Sequence, residues 1–468
     1  MKQYSQVYVL GIGGAGMSAL ARFSLQMGKK VFGHDKAPSS LTDQLIAEGI
    51  PVHFEADPAA IPRPIIENPD DTLVLYTSAI DSAHPIWQCL SQRDYTLHKR
   101  DYVFDMLTQD HYTFAIAGTH GKTMSTTLAA HILRYAQTNV TAFLGGIAKN
   151  YGSNFITTQQ IDGDTKLVVE ADEFDRFFLT LHPDVAIITN IDADHLDIYE
   201  DQQGFEAGFE QFLKNIAPAG MVIVHQTVFD RLHLAQSRLP FKVIPYALQG
   251  ASIHADNIHI NSEGMFVFDY ISPASKIVGI PLPIPSYHQV ENALAVITAC
   301  LHMGIAPTVI QEAIYTFQGT ARRSELILNH HGVVLIDDYA HHPVEITALL
   351  QTMRLTYPGK RLTAVFQPNQ YSRTQDFLHE IAASLDLADC VLVSDIYSDR
   401  EEAIPGIHPA AILAHMQCAN KYTCTSESLI RCLDKAGPHE VVLNLGAGDA
   451  GKFVEPLKAY LLSTIQNS

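Results

Sequence analysis

The chain has 468 residues, 47% of them hydrophobic and 17% charged, and a net charge of −19. At about 150 residues per domain this length suggests roughly three domains, with ample apolar material for their cores, which excludes a disordered chain. The acidic balance argues against a general nucleic-acid binder, although loops and helix N-termini can still supply local positive field for anionic substrates.

No apolar run reaches the roughly 18 residues of a membrane span, and the apolar N-terminus breaks into glycines too soon for a signal peptide. The six cysteines, Cys89, Cys300, Cys390, Cys418, Cys424 and Cys432, show no Cys-x-x-Cys spacing. They read as buried thiols of a reducing cytoplasm, not as a disulfide framework or zinc site.

In chain order, short β-branched runs alternate with helical patterns, which indicates α/β architecture. A strand over Gln6 to Ile12 leads into a helix from Gly14 to about Met27, then a strand over Lys30 to His34. Leu73 to Thr77 is a further strand, followed by the Ser78-Ala79-Ile80 turn. Thr113 to Ala117 is a strand that opens a second glycine-rich loop, with a helix from Met124. Two such loops this far apart imply two nucleotide-binding domains. The expected domains are residues 1–107, 108–318 and 319–468. In the last, the strand Val333 to Ile336 runs into Asp337-Asp338-Tyr339.

The segment Gly118-Thr119-His120-Gly121-Lys122-Thr123 has the character of a P-loop. Its glycines let successive N–H groups face a phosphate, Lys122 can reach the β/γ oxygens, and the Thr123 hydroxyl can ligate magnesium. The full Walker pattern would place glycine where Ile116 stands. Gly11-x-Gly13-x-x-Gly16, with Asp35 ending the second strand, suits any pyrophosphate, NAD included, with Asp35 at a ribose hydroxyl; tight helix–strand packing would also explain it. Glu170-Ala171-Asp172-Glu173 and Asp192-Ala193-Asp194-His195 each close an apolar strand in the P-loop domain, where carboxylates and an imidazole can hold Mg²⁺ against ATP phosphates. Asp338-Tyr339-Ala340-His341-His342-Pro343 is a strand-to-helix loop, with Pro343 fitting the first helical position and Glu345 the first turn.

With these motifs, the chain resembles the Mur ligases over its whole length. The matching pieces, in order, are Gly11 through Met17, Thr77 through Ile80, Gly118 through Thr123, Glu170 through Glu173 and Asp194-His195. They continue with His288 and Asn292, Gly319 through Arg323, Asp337 through Pro343, Gln367-Pro368 with Arg373, and Gly446 through Asp449. The similarity is closest to the branch that joins L-alanine to UDP-N-acetylmuramate in peptidoglycan precursor synthesis. The resemblance implies a Rossmann-like UDP domain, a central ATPase domain and a Rossmann-like domain for the amino acid, with closure over the ligands. It implies ATP and Mg²⁺, the substrates UDP-N-acetylmuramate and L-alanine, no nucleic acid, and a cytoplasmic monomer or homodimer.

Position by position, the resemblance assigns Gly13, Gly14, Ala15, Gly16, Asp35 and Ser78 to the UDP-sugar. Gly118, Thr119, Gly121, Lys122 and Thr123 go to ATP, and Thr123, Glu170 and His195 to metal. His288 and Asn292 go to the adenine, Arg323 to the phosphates, and Asp338 to the ribose. Tyr339, His341 and Arg373 match the amino-acid end; Lys122, Glu170, His195, Arg323 and His341 are the expected catalytic set. The chain departs from the family at Gln289, where asparagine is usual, at Gln370, where arginine is usual, and at Met124, which interrupts the threonine run. No lysine stands between His195 and Lys214, so no carbamylated lysine is expected. A murein tripeptide ligase is the nearest rival, and the segment Tyr397 to Gly406 favours the alanine-adding branch over it. An NAD-dependent oxidoreductase would leave the P-loop and both acidic clusters idle. Folylpolyglutamate synthase lacks the N-terminal UDP domain, and a non-catalytic regulator would not need Lys122, Glu170 and His195.

Overall fold

The computed structural model describes residues 4–466, apart from 94, 159–160, 193–195, 263, 285 and 399–400. The first sheet contains β1 (Gln6–Leu10), β2 (Lys30–His34), β3 (Val52–His53), β4 (Thr72–Tyr76) and β5 (Leu97–Lys99), in the order β3-β2-β1-β4-β5. All its pairings are parallel. Every residue of β1 is buried, as expected of a parallel strand covered on both faces. Its neighbours β2 and β4 lie on opposite sides, so the glycine loop after β1 sits where the strand order reverses. Ligands of open α/β sheets bind at such a point.

The second sheet repeats this logic. It comprises β6 (Tyr112–Ala117), β7 (Val140–Ala148), β8 (Ser153–Thr157), β9 (Lys166–Glu170), β10 (Val185–Ile188), β11 (Met221–His225) and β12 (Lys242–Tyr246). The order is β12-β11-β10-β6-β9-β7-β8, parallel except for the β7–β8 pair. β6 lies between β9 and β10, which brings the P-loop beside both acidic strand ends. Strands β13 (His254–Ile260), β14 (Phe266–Ile271) and β15 (Lys276–Leu282) form a separate small sheet.

The third large sheet contains β16 (Glu325–His330), β17 (Val333–Asp338), β18 (Leu362–Phe366), β19 (Cys390–Val393), β20 (Lys421–Thr423) and β21 (Val441–Leu445). Its order is β16-β17-β21-β18-β19-β20, with only β16 antiparallel. The carboxyl ends of β17, β21 and β18 are therefore adjacent, and they carry Asp338, Gly446 and Gln367. Two apolar clusters, one on each face, fill this domain; Ile336, Ala364 and Leu443 belong to one, and Leu335, Val365 and Val442 to the other. These alternating neighbours show the period of two along each strand.

The chain forms two structural units. One comprises residues 1–258, 268–282 and 290–318; the other comprises 259–267, 283–289 and 319–468. Within the first unit the glycine-loop domain is fastened to the P-loop domain. Arg22, on the helix Ala15–Gln26, pairs with Glu48 at 2.8 Å and also donates to Asn154 of β8. Asn154 Nδ2 in turn donates to Ala15 O at 2.7 Å and to Ser18 Oγ at 2.9 Å. A polar network this well satisfied fixes relative placement more than it adds stability.

Several local expectations are refined. The helix after the P-loop begins at Lys122, not Met124, with Gly121 as its N-cap. The helix Arg100–Asp110 runs through Leu107. The cysteines are all free, but only Cys300, Cys390 and Cys424 are buried; Cys89, Cys418 and Cys432 are half-exposed. Cys89 and Cys432 lie within the helices Pro85–Ser91 and Leu429–Ala436, and Cys418 lies in a loop. Among the described residues no helix is long and apolar enough to cross a membrane.

Candidate active site

The P-loop turns at Gly121, whose φ of 84° a side chain would strain. A Cβ there would also lie 2.7 Å from Asn292 Oδ1. Asn292, expected at the adenine, thus packs directly on the loop backbone. His288 stands one helical turn earlier on the same helix, Tyr287–His302, and is exposed. The loop is anchored to the strand end after β10: Thr119 Oγ1 donates to Asp192 O at 2.7 Å, and His120 N to Asn190 Oδ1 at 2.9 Å. Asp194 and His195 lie outside the described residues.

Lys122 and Thr123 meet the acidic end of β9. Thr123 Oγ1 donates to Glu170 Oε1 at 3.0 Å, and Gly145 N donates to Glu170 Oε2 at 2.9 Å. Lys122 Nζ donates to Gly118 O at 2.7 Å and to both Glu173 oxygens, at 2.9 and 2.7 Å. Burial works against this ammonium. Glu173, Asp172 and Glu170 outweigh it and raise the lysine pKa, so the group is held charged. Sequence reasoning noted Glu173 in its cluster but gave it no role; the pairing across two strand ends carries no local signature.

At the first glycine loop, Gly13 N donates to Asp35 Oδ2 at 2.7 Å, and Lys36 N donates to Oδ1 at 2.8 Å. Asp35 therefore braces the loop that it was expected to flank. Ser78 Oγ donates to Asp175 Oδ2 at 2.9 Å, joining the two domains of the first unit again. Arg100, which no motif singles out, pairs with both Asp172 and Asp175 at 3.2 Å.

In the third domain Asp338 accepts from Ser324 N at 2.6 Å and from Ala340 N at 2.7 Å. Burial pushes its carboxyl up to about 6, against the opposing pull of Arg323 and those two N–H groups. The adjacent arginines divide their tasks. Arg322 Nε donates to Asp337 at 3.2 Å and its Nη1 to Gly448 O at 3.3 Å, which ties β17 to the Gly446–Asp449 turn. Arg323 lies 3.8 Å from Glu345 and over the Tyr339 ring at 4.9 Å.

The two histidines also separate. His342 caps the helix Pro343–Thr356 in a capping box with Glu345 and packs on Phe377, a structural position. His341 stands edge-on to Tyr339, its ring centroid 5.5 Å away, with Nδ1 3.0 Å from Tyr339 O. Gln370, in a left-handed conformation at φ 67°, precedes the short helix Tyr371–Asp376 that carries Arg373. Its Oε1 accepts from Ser398 at 3.1 Å, and Ser372 N donates to Glu401 at 2.9 Å. Gln370 and Ser372 thus meet Ser398 and Glu401, which are well separated from them in sequence.

Comparison with known proteins agrees with this arrangement. Residues 6–112 match the model described as the Mur ligase family catalytic domain, 116–300 the Mur ligase middle domain, and 322–448 the Mur ligase glutamate ligase domain. The UDP-N-acetylmuramate–L-alanine ligase of Flavobacterium johnsoniae is 39% identical over 99% of this chain and 100% of its own length. That of Cytophaga hutchinsonii is 40% identical over 97% and 96%. Among solved structures, the UDP-N-acetylmuramate–alanine ligase of Thermotoga maritima superposes with a TM-score of 0.81 at 25% identity, covering 98% of this chain and 99% of that one. A murein peptide ligase from Psychrobacter arcticus gives 0.70 at 21% identity over 97% and 98%, which shows the shared fold. Three family models in order along the chain, and relatives alike from end to end, establish that this chain belongs to the Mur ligase family.

Proposed function

We propose that this protein is an ATP-dependent ligase that forms the amide bond between the lactyl carboxylate of UDP-N-acetylmuramate and the amine of L-alanine. The observation that carries this reading is the end-to-end likeness to relatives named for that reaction. The P-loop geometry supports it. The functional domains are residues 1–107 for the UDP-sugar, 108–318 for ATP and 319–468 for the amino acid.

A carboxylate is a poor electrophile. Its oxygen attacks the γ-phosphorus of ATP, ADP leaves, and an acyl phosphate forms. The neutral amine of L-alanine then attacks the acyl carbon, inorganic phosphate leaves, and the amine proton is lost. Lys122 and Arg323 offset the negative charge on the transferring phosphoryl group. Oxygen donors suit a hard cation, and the Thr123 hydroxyl and Glu170 carboxylate converge within 3.0 Å. They would hold Mg²⁺ together with His195, and the ion would neutralise charge at the phosphate oxygens. Asn292 and His288 would contact the adenine, Asp338 the ribose, and Tyr339, His341 and Arg373 the amino acid. Gly13, Gly14, Ala15, Gly16, Asp35 and Ser78 would form the UDP-sugar site. Holding reactants from separate domains in line supplies much of the remaining acceleration.

The test is phosphate release with UDP-N-acetylmuramate, Mg-ATP and a panel of L-alanine, L-serine, glycine and the murein tripeptide. L-alanine is expected to be the best acceptor. Release with the tripeptide and none with L-alanine would transfer the chain to the recycling branch.

A further inference from the structure

Arg100 opens the helix that follows β5 and lies between the two phosphate loops of the first unit. Its side chain is 20% exposed. Nη2 is 3.2 Å from Asp172 Oδ2 and 3.2 Å from Asp175 Oδ1, and the guanidinium lies 4.1 Å over the Phe177 ring. Its Nε and Nη1 have no acceptor among the described residues. Neither nitrogen is a buried orphan, so solvent reaches both, and a ligand oxygen at Nη1 would replace water with a charge-assisted hydrogen bond.

Nη1 faces the glycine loop. A methyl group on Gly16 would stand 3.1 Å from Arg100 Nη1. The final glycine of the loop therefore leaves room for a guanidinium, a reason beyond tight helix–strand packing. Gly16 lies in the first turn of the helix Ala15–Gln26, where backbone N–H groups lack intrahelical partners.

The acidic side of Arg100 is equally constrained. Asp175 and Arg176 have φ of 54° and 60°, a strained left-handed pair that persists only where its surroundings hold it. Asp175 is gripped by Ser78 on one oxygen and Arg100 on the other. Asp172 directly precedes Glu173, the partner of Lys122.

We propose that Arg100 binds the diphosphate of the UDP-sugar through Nη1, the nitrogen that faces the glycine loop, and that Asp172 and Asp175 position it for this. The proposal rests on the reading of the chain as a ligase acting on a UDP-sugar. A charge-assisted hydrogen bond from Nη1 suits a phosphate oxygen, and two carboxylates on Nη2 fix the orientation of the planar group. The same ion pairs connect the UDP site to the strand end that carries the Lys122 and Thr123 partners.

Titration calorimetry with UDP-N-acetylmuramate, UDP, uridine and a non-hydrolysable Mg-ATP analogue tests this. Arg100→Ala is expected to weaken UDP and the UDP-sugar at least about tenfold, with uridine and the ATP analogue within about twofold. Arg100→Lys keeps the charge without the planar group that Asp172 and Asp175 orient and is expected to weaken UDP about fivefold, which covers the case where the alanine variant does not fold. Asn tolerates the left-handed backbone, so Asp175→Asn isolates the positioning role, with about threefold weaker UDP and unchanged uridine expected. UDP affinity unchanged in Arg100→Lys or in a folded Arg100→Ala overturns the proposal. Equal losses for UDP and uridine overturn it too, because they indicate a structural role. If the unaltered protein binds neither UDP nor the UDP-sugar, the ligase reading itself fails, and the proposal with it.

Discussion

Replacing Lys122 by alanine should cost the protein both its turnover and a measurable part of its stability. The lysine side chain is 11% exposed and its partner Glu173 only 2%, so the pair is effectively inside the domain. Removing one member of a buried pair typically costs about 3–5 kcal/mol, because the remaining charge stays buried. Glu173 keeps other interactions, which places the loss at the lower end, about 3 kcal/mol. In a domain of roughly 200 residues, 1 kcal/mol moves the midpoint by about 2–4 °C, so scanning calorimetry without nucleotide should show a drop of about 6–12 °C. Pairing Lys122→Met with Glu173→Gln removes both charges and should restore most of that drop. Calorimetric binding of UDP-N-acetylmuramate should stay within about twofold, since the phosphate loops are separate. A midpoint within about 2 °C of the original for Lys122→Ala would refute the buried-pair argument. Retained turnover would remove Lys122 from phosphoryl transfer.

Arg373→Lys keeps a positive charge but loses the two-pronged geometry, and should raise the L-alanine KM at least about tenfold, or about 1.4 kcal/mol, in steady-state kinetics; the KM values for ATP and the UDP-sugar should barely move. Burial, His53 and His84 push the His34 imidazole down to about 4 from 6.5. The unfolded chain then takes up the proton first as pH falls, so the folded state should lose about 3 kcal/mol between pH 6.5 and 4, and His34→Asn should flatten that slope in unfolding temperature. Asp338 runs the other way: its carboxyl is raised to about 6 from 3.8. The stability of its neutral form is complete below 3.8 and lost as pH rises through about 6, about 3 kcal/mol in all; Asp338→Asn should remove this fall, read as unfolding temperature against pH.

What could be read from the sequence was what is encoded locally. The glycine loops, the β-branched runs before them and Pro343 at a helix start are each specified within a few residues, and each lies where expected. Side-chain pairings between distant strands were not legible. Asp35 sits at the end of the second strand as expected, yet nothing in its neighbours says that it accepts from Gly13 N. His34, His53 and His84 come from three separate segments and meet with ring centroids 5.1 Å apart in two of the pairs. Arg100 belongs to no motif; only the closure of β5 beside β4 brings it to Gly16.

A chain of net charge −19 that is proposed to hold two anionic nucleotides and an amino-acid carboxylate needs local cations. Each candidate cation here already faces a carboxylate: Lys122 faces Glu173, Arg100 faces Asp172 and Asp175, Arg323 faces Glu345, and Arg373 lies near Glu401. These acids keep the cations charged and oriented at modest cost, because a paired buried charge is far cheaper than an isolated one. A phosphate or carboxylate that arrives must either share the cation or displace its partner. Displacing a partner offsets part of the gain, since one ion pair replaces another, whereas sharing the cation keeps it. Discrimination falls to geometry: a planar guanidinium fixed by carboxylates on one nitrogen accepts an anion only where its remaining N–H groups point. The acidic composition is thus compatible with anionic substrates, because the carboxylates serve as holders for the few cations that matter.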